Sequence, residues 1–310
     1  MTRLVENPSG LDHLTPAGHP ERLERLEEIN EVLSMPEFDA LDRMLAPMAD
    51  EAALLLGHPQ SHIDAVRQQI PETGQTALDP DTWASPGSWE AALKGVGGCI
   101  VAVDAVLDGR ANNAFVATRP PGHHAEKTRA MGFCLFSTVA IAARHALEVR
   151  GLSRVAVVDF DVHHGNGTQD VLWDEPRALF ISSHQMPLYP GTGSASERGA
   201  SNNVLNLPLP PGSGGADMRA AYEGRVFPRL RDWQPELILI SAGFDAHADD
   251  PLANLMWTED DFAWVTRGLC DIADEVCAGR VVSTLEGGYD LPALAASVAV
   301  HVAELKERGA

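Results

Sequence analysis

Five short apolar runs, each followed by a loop and a helical segment, constrain this chain more than any other feature. They span 114–118, 154–159, 178–183, 236–242 and 280–285. Helices are expected over 20–34, 88–108, 136–150, 216–230, 259–278 and 291–307. Strands that alternate with helices build parallel βαβ units, so the fold class is α/β. The run Leu237-Ile238-Leu239-Ile240 shows no polar alternation, which suits a strand buried on both faces. In the first helix Glu21, Arg22, Leu23, Leu26 and Ile29 make a charged amphipathic pattern. In the second, Gly95, Gly97 and Gly98 allow close packing.

The polar clusters follow the strands. Pro120-Pro121-Gly122-His123-His124 comes after the first run and Asp159-Phe160-Asp161-Val162-His163-His164-Gly165-Asn166-Gly167 after the second. Ser182-Ser183-His184, Ser241-Ala242-Gly243-Phe244-Asp245 and Glu286-Gly287-Gly288-Tyr289 end the other three. In open parallel sheets, sites form beyond the carboxyl ends of the strands. Five such clusters should converge on one rim.

With 310 residues, 45% of them hydrophobic, the chain can bury a sizeable core. No repeat or linker divides it, and residues 1–310 are read as one domain. The net charge of -21 repels phosphate backbones, which argues against direct nucleic-acid binding. It favours cationic partners such as Lys-rich peptides or polyamines. Cys99, Cys134, Cys270 and Cys277 form no C-x-x-C pair, so a reducing cytoplasm is the expected location. No secretory signal is visible, and no apolar stretch approaches the ~18 residues of a membrane span.

The Asp159–Gly167 run carries the most chemistry. In extended backbone, residues two apart share a side, which puts Asp159, Asp161 and His163 together. Carboxylates so close repel unless a cation lies between them. A catalytic metal keeps three protein ligands and an open position. Asp161, His163 and Asp245 are the candidate set; zinc is expected, and ferrous iron is allowed. A lone strand-end Asp is as often a helix cap, but here it joins the Asp/His run. His123 and His124 can divide base and acid roles near neutral pH. Tyr289 can donate to a developing oxyanion, although a loop aromatic packed on the next helix would look the same in sequence.

Taken together, Pro-Pro-Gly-His-His, Asp-Phe-Asp-Val-His-His-Gly-Asn-Gly-Thr, Tyr-Pro-Gly-Thr-Gly, Ser-Ala-Gly-Phe-Asp and Glu-Gly-Gly-Tyr resemble the motif set of the histone deacetylase superfamily. They occur in its order, from His19 to Tyr289, and the wording is similar to the class II branch with its bacterial amidohydrolases and acetylpolyamine hydrolases. The resemblance implies an arginase/deacetylase fold with a central parallel sheet of about eight strands. It implies zinc on Asp161, His163 and Asp245, His124 as base and then acid, and His123 as its partner oriented by Asp159. Tyr289 would polarise the scissile carbonyl. Gly132, Phe133 and Tyr189 would line an acyl-lysine tunnel, and Arg22 would lie near an internal cavity. A structural potassium ion would take the side chains of Asp159 and Ser182, with main-chain oxygens of Asp161, His163 and Ser183. Asn166 stands where class I enzymes place Asp, so His124 should have a lower pKa here.

The implied reaction is amide hydrolysis on an acylated lysine or similar small amine. Leu252 resembles the neutral gatekeeper of lysine deacetylases, against the acidic one of a polyamine-selective relative. Asp79 and Asp81 are candidate rim residues. An acetylpolyamine deacetylase is the alternative, a silent acyl-lysine binder a weaker one, and a binuclear manganese ureohydrolase lacks its carboxylates at Ser182-Ser183-His184. Cys134 reads as an inert buried thiol. A homo-oligomer is compatible with this reading.

Overall fold

The computed structural model describes residues 1–309. Strands follow in chain order as β1 (Thr2–Glu6), β2 (Asp42–Leu45), β3 (Thr76–Ala77), β4 (Trp83–Ala84), β5 (Asn113–Ala117), β6 (Val155–Asp159), β7 (Ala178–Gln185), β8 (Val204–Leu209), β9 (Ile238–Ala242) and β10 (Val281–Leu285). The α-helices are α1 (Glu24–Leu33), α2 (Glu51–Leu54), α3 (Gln60–Gln69), α4 (Ser88–Leu107), α5 (Thr138–Glu148), α6 (Asn166–Leu172), α7 (Gly215–Ala221), α8 (Phe227–Trp233), α9 (Glu259–Cys277) and α10 (Leu291–Arg308).

Eight strands form one sheet in the order β2-β1-β5-β10-β9-β6-β7-β8, and every pairing is parallel. This is an α/β fold with a central parallel sheet of eight strands, as expected. Successive side chains of the central strands enter opposite cores. Ala156, Val158, Leu179, Ile181, Ile238 and Ile240 pack with α1, α9 and α10 residues such as Ile29, Leu269 and Val298. Val155, Val157, Phe180, Leu237 and Leu239 pack with Val103 of α4 and Ala143 of α5. Burial on both faces explains the uninterrupted apolar runs. The small residues of α4 do bring it close: a Cβ on Gly97 would collide with the backbone of Pro47 and Ala49.

Each expected strand is present within two residues of its sequence bounds. β1, β2 and β8 of this sheet and the short β3–β4 pair were not expected. β2 and β8 are edge strands, where Pro208 can be tolerated because its missing N–H faces no neighbour. The helix expected over 216–230 is interrupted by a π-helical turn at Tyr222–Val226, where Gly224 and Pro228 weaken a regular ladder. The five polar clusters follow β5, β10, β9, β6 and β7, which are contiguous in the sheet. That adjacency delivers all five to one edge.

Candidate active site

At the carboxyl edge of the sheet, Asp161, His163 and Asp245 each offer one ligand atom, all within 4.8 Å of one another, and all three residues are buried. His163 Nδ1 lies 3.1 Å from Asp161 Oδ1 and 3.1 Å from Asp245 Oδ2. Backbone amides fix the carboxylates. His163 N donates to Asp161 Oδ1 (2.9 Å), Val162 N to Asp245 Oδ1 (2.9 Å) and Gly287 N to Asp161 Oδ2 (2.9 Å). Burial alone would lower His163, but hydrogen bonds to Asp161 and Asp245, and their charges, lift it to about 10. Burial and the charge of Asp161 push Asp245 up. The cluster therefore demands positive charge, and two oxygens and one imidazole nitrogen are a ligand set that suits a divalent metal. Gly287 keeps this corner clear, since a Cβ there would sit 2.6 Å from Asp161 Oδ2.

His123 and His124 lie beside this cluster, their ring centroids 4.0 Å apart. His123 Nδ1 meets Asp159 Oδ2 at 2.9 Å, and its Nε2 is 3.7 Å from Asp161 Oδ2. Burial opposes its charge, yet Asp161 and Asp159 raise His123 well above the ordinary range. Burial, and then the charges of His123 and His163, hold His124 well below it. The two rings are thus pushed in opposite directions, His123 up beside Asp159 and His124 down, which is the pattern of divided acid–base roles. His124 Nδ1 is 2.7 Å from Asn166 Oδ1, leaving Nε2 as the basic nitrogen.

Tyr289 is 8% exposed, and its amide donates to Asp250 Oδ2 at 2.7 Å. Burial raises its phenol well above the ordinary range, which keeps it a donor at neutral pH. Phe133 stands edge-on to Tyr289 (5.8 Å) and to His19 (4.8 Å). Tyr189 stands edge-on to His124 (5.2 Å) and is 37% exposed. Gly132 and Phe133 have φ of 56° and 68°. A Cβ on Gly132 would lie 2.7 Å from His124 Cβ. Phe133 is not glycine, so its left-handed backbone is a strained one.

The rim residues are also gathered here. Asp79 and Asp81 lie between β3 and β4, and Phe133 N donates to Thr82 Oγ1 at 3.0 Å. Asp79 is paired with Arg129 at 2.8 Å. Leu252 is half-buried, and its amide donates to Asp250, the same carboxylate that holds Tyr289 N. Ser182 pairs with Asp159 in the β6–β7 register, while its Oγ meets His184 Nδ1 at 2.9 Å. The Cys134 thiol is pushed well up by burial, which makes it unreactive.

One assignment is corrected. Arg22 is exposed, and the arginine beneath the site is Arg25. Its guanidinium lies 4.9 Å from the Tyr289 ring centre and donates to the carbonyls of Gly288 and Glu286, both at 2.6 Å. Two more supports went unassigned in the sequence. Glu286 Oε2 accepts from the amides of Gly122 (2.7 Å) and His123 (3.1 Å) and so shapes the dyad loop. Glu21 holds Arg119 and Arg25.

A family model described as a histone deacetylase domain matches residues 19–305. An uncharacterized protein of Synechocystis sp. is 42% identical over 302 residues, covering 96% of this chain and 97% of that one. A histone deacetylase-like amidohydrolase of Pseudomonas aeruginosa is 39% identical over 279 residues, 88% of this chain and 73% of its own. The crystal structure of the HDA15 HD domain superposes with a TM-score of 0.92 at 33% identity, covering 98% of this chain and 89% of that one.

Proposed function

The chain belongs to the histone deacetylase family, a family of amide-cleaving hydrolases, and on that premise we propose that it is a zinc-dependent deacylase of acylated lysine side chains. The observation that carries the reading is the buried Asp161–His163–Asp245 cluster with the His123–His124 pair beside it, His124 held well below its ordinary pKa by burial and by the charges of His123 and His163, and Tyr189 and Phe133 edge-on to His124 and Tyr289.

Asp161, His163 and Asp245 would hold the zinc ion, which supplies Lewis acidity that acidifies a water and polarises the acyl carbonyl. His124 Nε2 takes the proton of the attacking water. The Tyr289 hydroxyl donates to the carbonyl oxygen as negative charge develops there. His124 then returns the proton to the leaving amine nitrogen. His123, held by Asp159, stays cationic and keeps His124 from being protonated early. Phe133 and Tyr189 exclude water and align the alkyl stem. A potassium ion beside Asp159 and Ser182 belongs to the same reading, because a monovalent cation would offset the repulsion between Asp159 and Asp161.

The lysine preference is supported at one rim position. Leu252 adds no charge, and Asp79 is already paired with Arg129, although Asp81 beside it has no cationic partner among the described residues and is the carboxylate a polyamine's distal ammonium would meet. Cytoplasmic placement is proposed from four buried, unpaired cysteines. The test is to assay the purified metalloprotein on acetyl-lysine peptides, longer acyl-lysine peptides, N-acetylputrescine and acetylspermidine. A polyamine preference above about tenfold in kcat/KM, about 1.4 kcal/mol of differential transition-state binding, would overturn the substrate assignment. No turnover of any amide by protein with bound metal would overturn the enzyme assignment itself.

A further inference from the structure

Asn166 can present either end of its amide to His124, and the two choices have opposite consequences. An oxygen facing Nδ1 requires a proton on Nδ1 and leaves Nε2 basic; an NH2 facing Nδ1 would do the reverse. What lies on the far side of the amide decides. Asn166 Nδ2 is 2.8 Å from Glu126 Oε1. An ionised carboxylate only accepts, so the NH2 must point to Glu126 and Oδ1 must point to His124, 2.7 Å away.

We infer that Glu126 is a positioning residue for the reaction: through Asn166 it fixes the tautomer and orientation of His124, and it supplies the negative charge that a neutral amide at 166 lacks. The inference rests on the deacylase reading above.

The loop is built to hold this contact. Glu126 N donates to Arg129 O at 2.9 Å, and Arg129 N to Glu126 O at 3.3 Å, closing a tight turn. Lys127 N donates to Asp170 Oδ2 at 2.7 Å, which ties the turn to α6. From the α6 side, the amides of Gly167 and Thr168 donate to His123 O at 2.9 and 3.1 Å. A Cβ on Gly167 would lie 2.6 Å from Ala125 N, so the two segments are in direct backbone contact. Nearby cations are otherwise engaged. Arg129 pairs with Asp79 at 2.8 Å, and Lys127 Nζ is 3.9 Å from Asp174. The Glu126 charge is therefore directed to the amide.

A double-mutant cycle tests this, with metal content and Tm measured for every variant. Glu126→Gln can still offer an oxygen to Asn166 but carries no charge; kcat is expected to fall about tenfold with KM within about twofold. Glu126→Ala removes the acceptor as well and should cost about 10²-fold. Asn166→Asp sets a carboxylate against Glu126, where like charges cannot both persist, and should also lose about tenfold. In the double variant that combines Glu126→Gln with Asn166→Asp, the side-chain amide introduced at position 126 donates to a carboxylate at position 166 that now carries the charge. Its kcat should return to within about threefold of wild type. Effects that simply multiply in the double variant, or a Glu126→Gln enzyme within about twofold of wild type, would overturn the inference. A second readout does not need turnover. The downfield Nδ1 proton resonance of His124, identified by its loss in His124→Ala, should shift in Glu126→Gln and vanish in Glu126→Ala. An unchanged resonance in both also overturns it. A wild-type protein that turns over no acyl amine would sink the deacylase reading alone, and the resonance would still decide the role of Glu126.

Discussion

Replacing Glu21 with Gln should destabilise the protein and slow it for one shared reason. Glu21 is fully buried and accepts from Arg119 Nε (2.5 Å) and Nη2 (2.7 Å) and from Arg25 Nη1 (3.1 Å), with His13 Nε2 3.4 Å away. Arg25 and Arg119 are themselves buried. Removing the carboxylate they share leaves two guanidinium charges without that anion. Breaking a buried pair in this way costs about 3–5 kcal/mol, and the near-isosteric Gln should fall at about 3 because it keeps one acceptor. At roughly 2 °C per kcal/mol for a chain of this size, Tm should drop about 6 °C. Urea unfolding should show a lower midpoint with an unchanged slope.

The pH dependence follows from the same carboxylate. Burial would raise Glu21, but Arg119, His13 and Arg25 outweigh it and hold the group far below the usual carboxylate range. A folded-state pKa below the unfolded one means that the unfolded chain binds the proton more readily. The stabilisation is therefore complete above about pH 4.5 and is lost as pH falls towards the folded value. Glu21→Gln should flatten that acid limb. Because Arg25 also holds the carbonyls of Gly288 and Glu286 beneath Tyr289, kcat should fall about tenfold while KM changes little. A stability loss below about 1 kcal/mol at pH 7, or an acid limb identical to wild type, would refute the reasoning.

Three other outcomes are expected. Tyr289→Phe keeps the ring packing but removes the donor, so kcat should fall on the order of 10²–10³ with little change in Tm; a loss under about threefold removes its assigned role. Chelation should abolish activity and lower Tm by about 8 °C, the linkage expected of a metal present at roughly 1,000 times its Kd, and added zinc should reverse both; an unchanged Tm argues against metal at Asp161, His163 and Asp245. Gly132→Ala forces a side chain against the His124 ring at a φ of 56°. Its kcat should fall by about 10²-fold, and near-wild-type turnover would show that the Gly132 backbone does not set the His124 position.

The candidate site was legible because its residues sit in short strings at strand ends. Asp161 and His163 are two apart, His123 and His124 are adjacent, and parallel strands carry their ends to one edge whatever the loops do. The outer strands were not legible. β1, next to the edge strand β2, mixes Arg3 and Glu6 into its apolar positions, and the edge strand β8 contains Asn206 and Pro208, so neither shows the continuous apolar run that marked β9. Glu286 was visible in the Glu-Gly-Gly-Tyr string, but its partners at Gly122 and His123 lie 164 and 163 residues away. No local pattern announces a contact that only the closed sheet creates.

The choice between Arg22 and Arg25 shows where such reading fails and why. A helix over 20–34 would place residues 22, 25, 26 and 29 on one face, since positions three, four and seven apart align. On that helix Arg22 and Arg25 are equally good candidates for the inner side. α1 instead begins at Glu24, with the chain turning through Glu21 and Arg22 before it. Arg22 is then out of phase and exposed, while Arg25 enters with Leu26 and Ile29. Before that start Glu21 turns inward to bind Arg119, a residue 98 positions away. A boundary shift of four residues, from 20 to Glu24, thus goes with Arg25 rather than Arg22 lying under Tyr289, and the turn before that start is held by a buried ion pair. The same pair is what the Glu21→Gln experiment removes, so that variant measures how much the inward turn before α1 contributes to stability.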